Sequence, residues 1–133
     1  MKIALITDNG TTISQHFGRA HQYAVLTVEN GEIIHRELRD KMGHQHFSNG
    51  ANDHGHESGQ RHGFDAASHS RHVQMAEAIA DCEVLLCRGM GAGAYESMKA
   101  RGIRPMVTDI EAIDEAALTC AAGLLVDHVE KLH

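Results

Sequence analysis

Two short stretches, ISQHFGRA (13–20) and CRGMGAGAYE (87–96), combine residue types and spacings that could hold a charged ligand. In the second, Gly89, Gly91 and Gly93 let the backbone approach a ligand without interference from a Cβ atom. The run leaves an apolar segment and opens a helical one. A helix N-terminus offers unpaired N–H groups and a partial positive charge, so an anion is its natural occupant. The plain alternative is a tight strand-to-helix turn that binds nothing. In the first stretch His16 stands between Ser14 and Arg19. Imidazole can ligate a soft or borderline metal, and a guanidinium can balance the charge of an anionic cluster beside it. A lone His is otherwise an ordinary surface or hydrogen-bonded residue.

The glycine run also fits the dinucleotide pattern G-x-G-x-x-A, with Asp109 twenty residues beyond Gly89. Against a nucleotide, the run falls late in a small chain that leaves no second half of a dinucleotide fold, and no Lys-Ser/Thr follows it. Catalytic patterns are absent as well: there is no nucleophile elbow, no H-E-x-x-H and no set of carboxylates at strand ends for two catalytic metals. A non-enzymatic binding role is the expectation.

Seven of the twelve histidines lie between residues 44 and 72: His44 and His46, His54 and His56, His62, and His69 and His72. Imidazoles on a flexible loop can gather Ni²⁺, Cu²⁺ or Zn²⁺ by folding around it, although the spacing matches no closed structural zinc site. An inert solvated loop is the alternative. His69 and His72 are expected near a helix N-terminus, which disfavours their charged form and leaves them available as ligands. Of the three cysteines, Cys82 and Cys120 read as core residues, while Cys87 ends a strand beside the glycine turn and is a candidate sulfur ligand.

The elements that must position these residues follow from the apolar pattern. KIALITD reads as a buried strand, followed by a long loop over 9–19. Segments 22–28 and 32–38 flank Asn30-Gly31, a pair suited to a type I′ hairpin turn. The stretch 42–67 is too polar and glycine-rich to offset the entropy of ordering it, so a disordered His-rich insertion is expected there. A helix capped by Ser68 or Ser70 should follow, with Val73, Ala76, Ile79 and Ala80 inward. EVLLC lacks polar alternation, as a strand buried on both faces does. Then come a helix, a strand whose Pro105 marks a sheet edge, a helix with Asp109 at its N-cap, and a terminal helix with Leu125, Val129 and Leu132 on one stripe. Gly102 and Gly123 suit helix C-termini. The result is an α/β domain with a mixed sheet, and ligands in such sheets sit beyond the carboxyl ends of the parallel strands. The two loops that qualify are 9–19 and 88–93.

The whole chain narrows the class. Its 133 residues suit a single domain, 1–133. With 12 Lys+Arg against 18 Asp+Glu its formal charge is -6, without a basic stripe for nucleic acid. The N-terminal apolar run is too short for a signal peptide or a membrane span, so a cytoplasmic protein is expected, and the odd number of scattered cysteines suits reduced thiols.

In order and separation, SQHFGRAHQYAVLTVENGEI, VLLCRGMGAGAYESMKARGIRPMVT and DIEAIDEAALTCAAG resemble the dinitrogenase iron-molybdenum cofactor biosynthesis family, the NifX-type domain. The resemblance implies a ribonuclease-H-like three-layer α/β domain with a five-stranded sheet in the order β-β-β-α-β-α-β-α. It also implies a carrier of iron-sulfur, iron-molybdenum or molybdenum-copper sulfide clusters. Ser14, His16, Phe17, Gly18 and Arg19 match the family's S-x-HFGRA signature, in which the His is a candidate cluster ligand. Gly89, Met90, Gly91, Ala92 and Gly93 match its glycine turn, and the His-rich insertion departs from the pattern. The expectation is therefore a monomer or weak homodimer holding an anionic metal-sulfur cofactor between the two loops, with Cys87 or Met90 adding a sulfur contact. Its partners would be cofactor-assembly or acceptor proteins. The alternative is a Ni, Cu or Zn buffer or sensor acting through the histidine loop.

Overall fold

The computed structural model describes residues 1–41 and 64–132, and of residues 64–70 the backbone alone. Its elements are β1 (Lys2–Thr7), β2 (Gln22–Glu29), β3 (Glu32–Asp40), α1 (Phe64–Glu77), β4 (Val84–Cys87), α2 (Ala92–Ala100), β5 (Arg104–Val107) and α3 (Ile113–Ala121). Short 3-10 turns lie at Phe17–Arg19 and Val129–Lys131. The strands form one mixed sheet in the order β3-β2-β1-β4-β5. β2 pairs antiparallel with β1 and β3, whereas β4 runs parallel to both β1 and β5.

Each choice has a local cause. Asn30 and Gly31 take φ of 51° and 79°, the left-handed pair that closes the β2–β3 hairpin as expected. β1 and β4 occupy the sheet centre, so nearly every side chain of KIALIT and all of VLLC are buried. Strand alternation then assigns the helices to faces. Tyr23 donates its hydroxyl to the Met75 carbonyl at 2.8 Å and Arg39 reaches the Ala78 carbonyl at 2.9 Å, so the odd-numbered face of β2 and β3 carries α1. Arg36 on the even face makes two hydrogen bonds, 2.8 and 2.9 Å, to Asp114 of α3. Helices therefore cover both faces.

Pro105 is on an edge strand, as its missing N–H requires. That edge is not left open, because the segment after α3 runs along it. Asp127 accepts the Val107 N–H at 2.8 Å and the Tyr95 hydroxyl at 2.8 Å, and the His128 N–H donates to the Val107 carbonyl at 2.8 Å. The expected terminal helix is thus replaced by an extended strap, because unpaired groups on β5 outcompete a weak apolar stripe. Asp127→Ala should cost about 1–3 kcal/mol by orphaning both donors, read as a lower urea midpoint. Asp127→Asn should lose less, and an unchanged midpoint in the alanine variant would show the strap is held otherwise.

Three other expectations are corrected. α1 opens at Phe64, so 64–67 belong to the helix rather than the insertion, and residues 42–63 lie outside the described residues. Ala80 is exposed and Met75 is buried in its stead, since α1 ends at Glu77 and the chain turns before Ala80. Asp109 does not cap α3, whose N-cap is Ala112. It pairs with Lys131 and, at 3.4 Å, His128 of the strap. Among the described residues no helix is long and apolar enough to cross a membrane.

Candidate functional site

The loops after β1 and β4 leave the carboxyl ends of adjacent parallel strands, the position at which the sheet's connections diverge. They are joined at the backbone. The Phe17 N–H donates to the Gly89 carbonyl at 2.9 Å, and a Cβ on Gly89 would lie 2.7 Å from the Gln15 carbonyl oxygen. Gly89 is therefore the residue that lets the loops touch. The first loop is shaped from inside by Asp8, whose carboxylate accepts the His21 N–H at 3.0 Å and the Ser14 hydroxyl at 3.0 Å. These bonds hold the Asp8 carboxyl below its ordinary range.

Between the loops lies a cleft of about 650 Å³. His16, Phe17, Gly18 and Arg19 form one wall, and Met90, Gly91 and Gly93 form another at the start of α2. The end of β3 supplies Asp40 and Lys41, and α1 supplies Arg71, His72 and Met75. His16 and Arg19 are exposed at the rim, whereas Phe17 and Met90 are buried. Among the described residues the charges are one-sided: Arg19, Lys41 and Arg71 line the cleft with a single carboxylate, Asp40, in a chain whose overall charge is -6. The orphan N–H groups of the first turn of α2 add to the same sign.

Lys41 is the unusual member. It is 3% exposed, its backbone N–H is tied to the His21 carbonyl at 3.0 Å, and its ammonium donates to the Phe17 carbonyl and sits 4.4 Å from that ring's centroid. Burial lowers its pKa to about 8 against the opposing pull of Asp8.

The structure brings together at the cleft His16, Phe17, Gly18, Arg19, Met90, Gly91, Gly93 and His72 from the residues expected on sequence grounds. It places others elsewhere. Ser14 and Gly89 organise the loops from behind, and Ala92 is outside the cleft lining. Cys87 is fully buried, with Sγ directed at the Met106 carbonyl 3.7 Å away, and burial pushes its thiol up to about 12. As the last residue of a strand buried on both faces it lies beneath the glycine turn, where the Gly89 backbone N–H donates to its sulfur, and it is out of reach of the cleft lining. His72 lies in the body of α1 rather than at its N-terminus, so the expected N-terminal effect on its charge does not apply. His69 lies on the same helix with its side chain outside the described residues, as are His44, His46, His54, His56 and His62 entirely. Among the described residues no three His, Cys, Asp or Glu side chains gather to hold a metal ion.

Sequence reasoning missed Lys41, Arg71, His21 and Asp40. A lysine directly after a nine-residue strand was the available signal for Lys41, since a hairpin arm that starts beside the first loop must also end beside it.

Residues 1–123 match the family model described as dinitrogenase iron-molybdenum cofactor. The chain is 27% identical over 125 residues to the FeMo cofactor biosynthesis protein NifB of Frankia alni, covering 94% of this chain but 22% of that protein. It is 30% identical over 125 residues to the protein MJ0580 of Methanocaldococcus jannaschii, covering 94% of this chain and 89% of that one. In fold it is like the apo form of the orange protein from Desulfovibrio gigas, with a TM-score of 0.62 at 21% identity over 95% of this chain and 91% of that chain.

Proposed function

The chain belongs to the dinitrogenase iron-molybdenum cofactor family, and on that premise we propose that it is a carrier that binds an anionic metal-sulfur cluster in the cleft between the His16 loop and the glycine turn. The observation that carries this reading is the inversion of charge: an acidic chain concentrates Arg19, Lys41 and Arg71 around one cavity. A cluster that brings its own sulfide ligands needs few protein ligands. It needs counter-charge, N–H donors and one or two soft or borderline contacts. The rim position of His16 suits a ligand, Arg19 a bidentate charge contact, and Met90 a polarizable wall. Cys87 has no part in the proposed site. The proposed protein is a ribonuclease-H-like single domain of the cytoplasm that catalyses no reaction, receiving its cargo from and passing it to cofactor-assembly proteins. Iron-molybdenum, iron-sulfur and molybdenum-copper clusters all satisfy this chemistry.

The test is the iron, molybdenum, copper and sulfide content of protein purified without oxygen, for the full chain and for His16→Ala. The full chain should hold metal together with sulfide in stoichiometric amount. His16→Ala should retain at least tenfold less at an unchanged melting temperature. Equal retention would remove His16 from the site. Nickel, copper or zinc without sulfide, lost on deleting residues 43–63, would instead favour a divalent-metal buffer acting through His44, His46, His54, His56 and His62.

A further inference from the structure

We infer that Lys41 selects the cargo by charge, its buried ammonium recognising a ligand that carries at least two negative charges. The inference rests on the carrier reading of the same cleft and deepens it. An ammonium at 3% exposure is an expensive group to bury, and the usual remedy is a carboxylate partner. Lys41 has none in direct contact: among the described residues its ammonium meets the Phe17 carbonyl and the face of the Phe17 ring, and Asp8 acts on it only through space. An ammonium has three donors, so two are not taken up by acceptors among the described residues and can turn to a ligand in the cleft that the side chain lines. A methionine of similar length would pack in this wall at lower cost, as volume-conserving replacements of buried charges commonly do. A chain that keeps a cation there without a directly bonded carboxylate keeps it for something that arrives from outside, and an anion entering the cleft supplies the contact counter-charge.

The placement is also built rather than incidental. The lysine backbone is clamped where β3 ends against His21, and its amine is aimed by Phe17, whose own N–H is anchored on Gly89. All three contacts converge on the junction of the two site loops. Arg19 and Arg71, both exposed, then act as the outer charges that water and salt screen, whereas Lys41 is shielded and discriminates.

The experiment uses the full chain, Lys41→Met and Lys41→Arg, each titrated calorimetrically at pH 7 with molybdate and with perrhenate. These are tetrahedral oxyanions of similar size with charges of two and one. Wild type should bind molybdate at least tenfold more tightly than perrhenate. Lys41→Met should lose at least tenfold in molybdate affinity and with it the preference, at a melting temperature equal to or above wild type, and Lys41→Arg should restore part of both. Lys41→Gln carries the same comparison should the methionine variant not fold. An unchanged preference in the methionine or glutamine variant overturns the inference, as does wild-type protein that binds neither oxyanion or both equally. The two readings separate in the anaerobic preparation. Lys41→Met protein that keeps its metal and sulfide overturns the role of Lys41 and leaves the carrier standing. Wild-type protein that never holds a cluster, yet discriminates the oxyanions through Lys41, overturns the carrier alone.

Discussion

Gly89→Ala is expected to destabilise the chain by roughly 1–3 kcal/mol and to abolish high-affinity binding in the cleft. The added Cβ would sit 2.7 Å from the Gln15 carbonyl oxygen, a backbone atom that cannot rotate out of the way as a side chain can. The loops must then separate, and their separation breaks the 2.9 Å bond from the Phe17 N–H to the Gly89 carbonyl. Phe17 in turn holds Lys41 through its carbonyl and its ring, so one methyl group displaces one wall of the cleft and the cation together. Gly18→Ala is the control within the same site: nothing lies within 4 Å of its added Cβ, and its stability should stay within about 0.5 kcal/mol of wild type. Urea denaturation of the two variants decides the matter, since equal midpoints would mean that the loops are not in contact as described. The melting of Gly89→Ala should moreover leave the urea slope unchanged, because the same surface is exposed on unfolding.

Much of this arrangement is legible in the chain because it is local. Asn30-Gly31 closes a hairpin through its own φ angles, VLLC announces burial on both faces, and Pro105 identifies an edge strand by the donor it lacks. The two site loops are legible by topology, since both follow parallel strands. What sequence reasoning misplaced depends on partners distant in the chain. The segment 124–132 has a helical stripe, yet Asp127 finds the Val107 N–H and Tyr95, 20 and 32 residues away, and those bonds decide its path. Cys87 touches the glycine turn through the Gly89 N–H, but its position on a central strand buries the thiol completely and directs it at the Met106 carbonyl, 19 residues off. Lys41 is unremarkable in sequence and acquires its role only when the β2–β3 ladder returns the end of the hairpin to Phe17, 24 residues earlier. The same lesson applies to charge: a net of -6 argues against a basic surface overall and says nothing of a cleft in which, among the described residues, three cations meet one carboxylate.

Lys41 also predicts the form of an alkaline stability difference. In the folded chain it titrates near 8, whereas its ordinary value is 10.5. Below pH 8 the lysine is charged in both states and the fold carries the whole cost of burying it. Between pH 8 and 10.5 the unfolded chain holds a proton that the folded chain has released, so unfolding takes up protons and stability rises with pH. Above 10.5 both states are neutral and the cost is gone. The interval corresponds to at most roughly 3 kcal/mol. Wild type alone will not display it, because burial pushes Cys82 and Cys87 up to about 12. Those thiols ionise first in the unfolded chain above pH 9, which lowers stability over an overlapping range. The difference between Lys41→Met and wild type cancels the thiols. That difference should favour the methionine variant at pH 7 and shrink by about 2–3 kcal/mol between pH 8 and 10.5, measured by urea denaturation at intervals of pH. A gap independent of pH would mean that the ammonium is not buried at a cost, and with that the physical reason for an anion to seek it would fall. A saturating dianion at pH 7 should close the same gap from the other side, since it binds the folded wild type and offers the methionine variant nothing. Proton and anion thus act on one amine, and each measures what the other is worth.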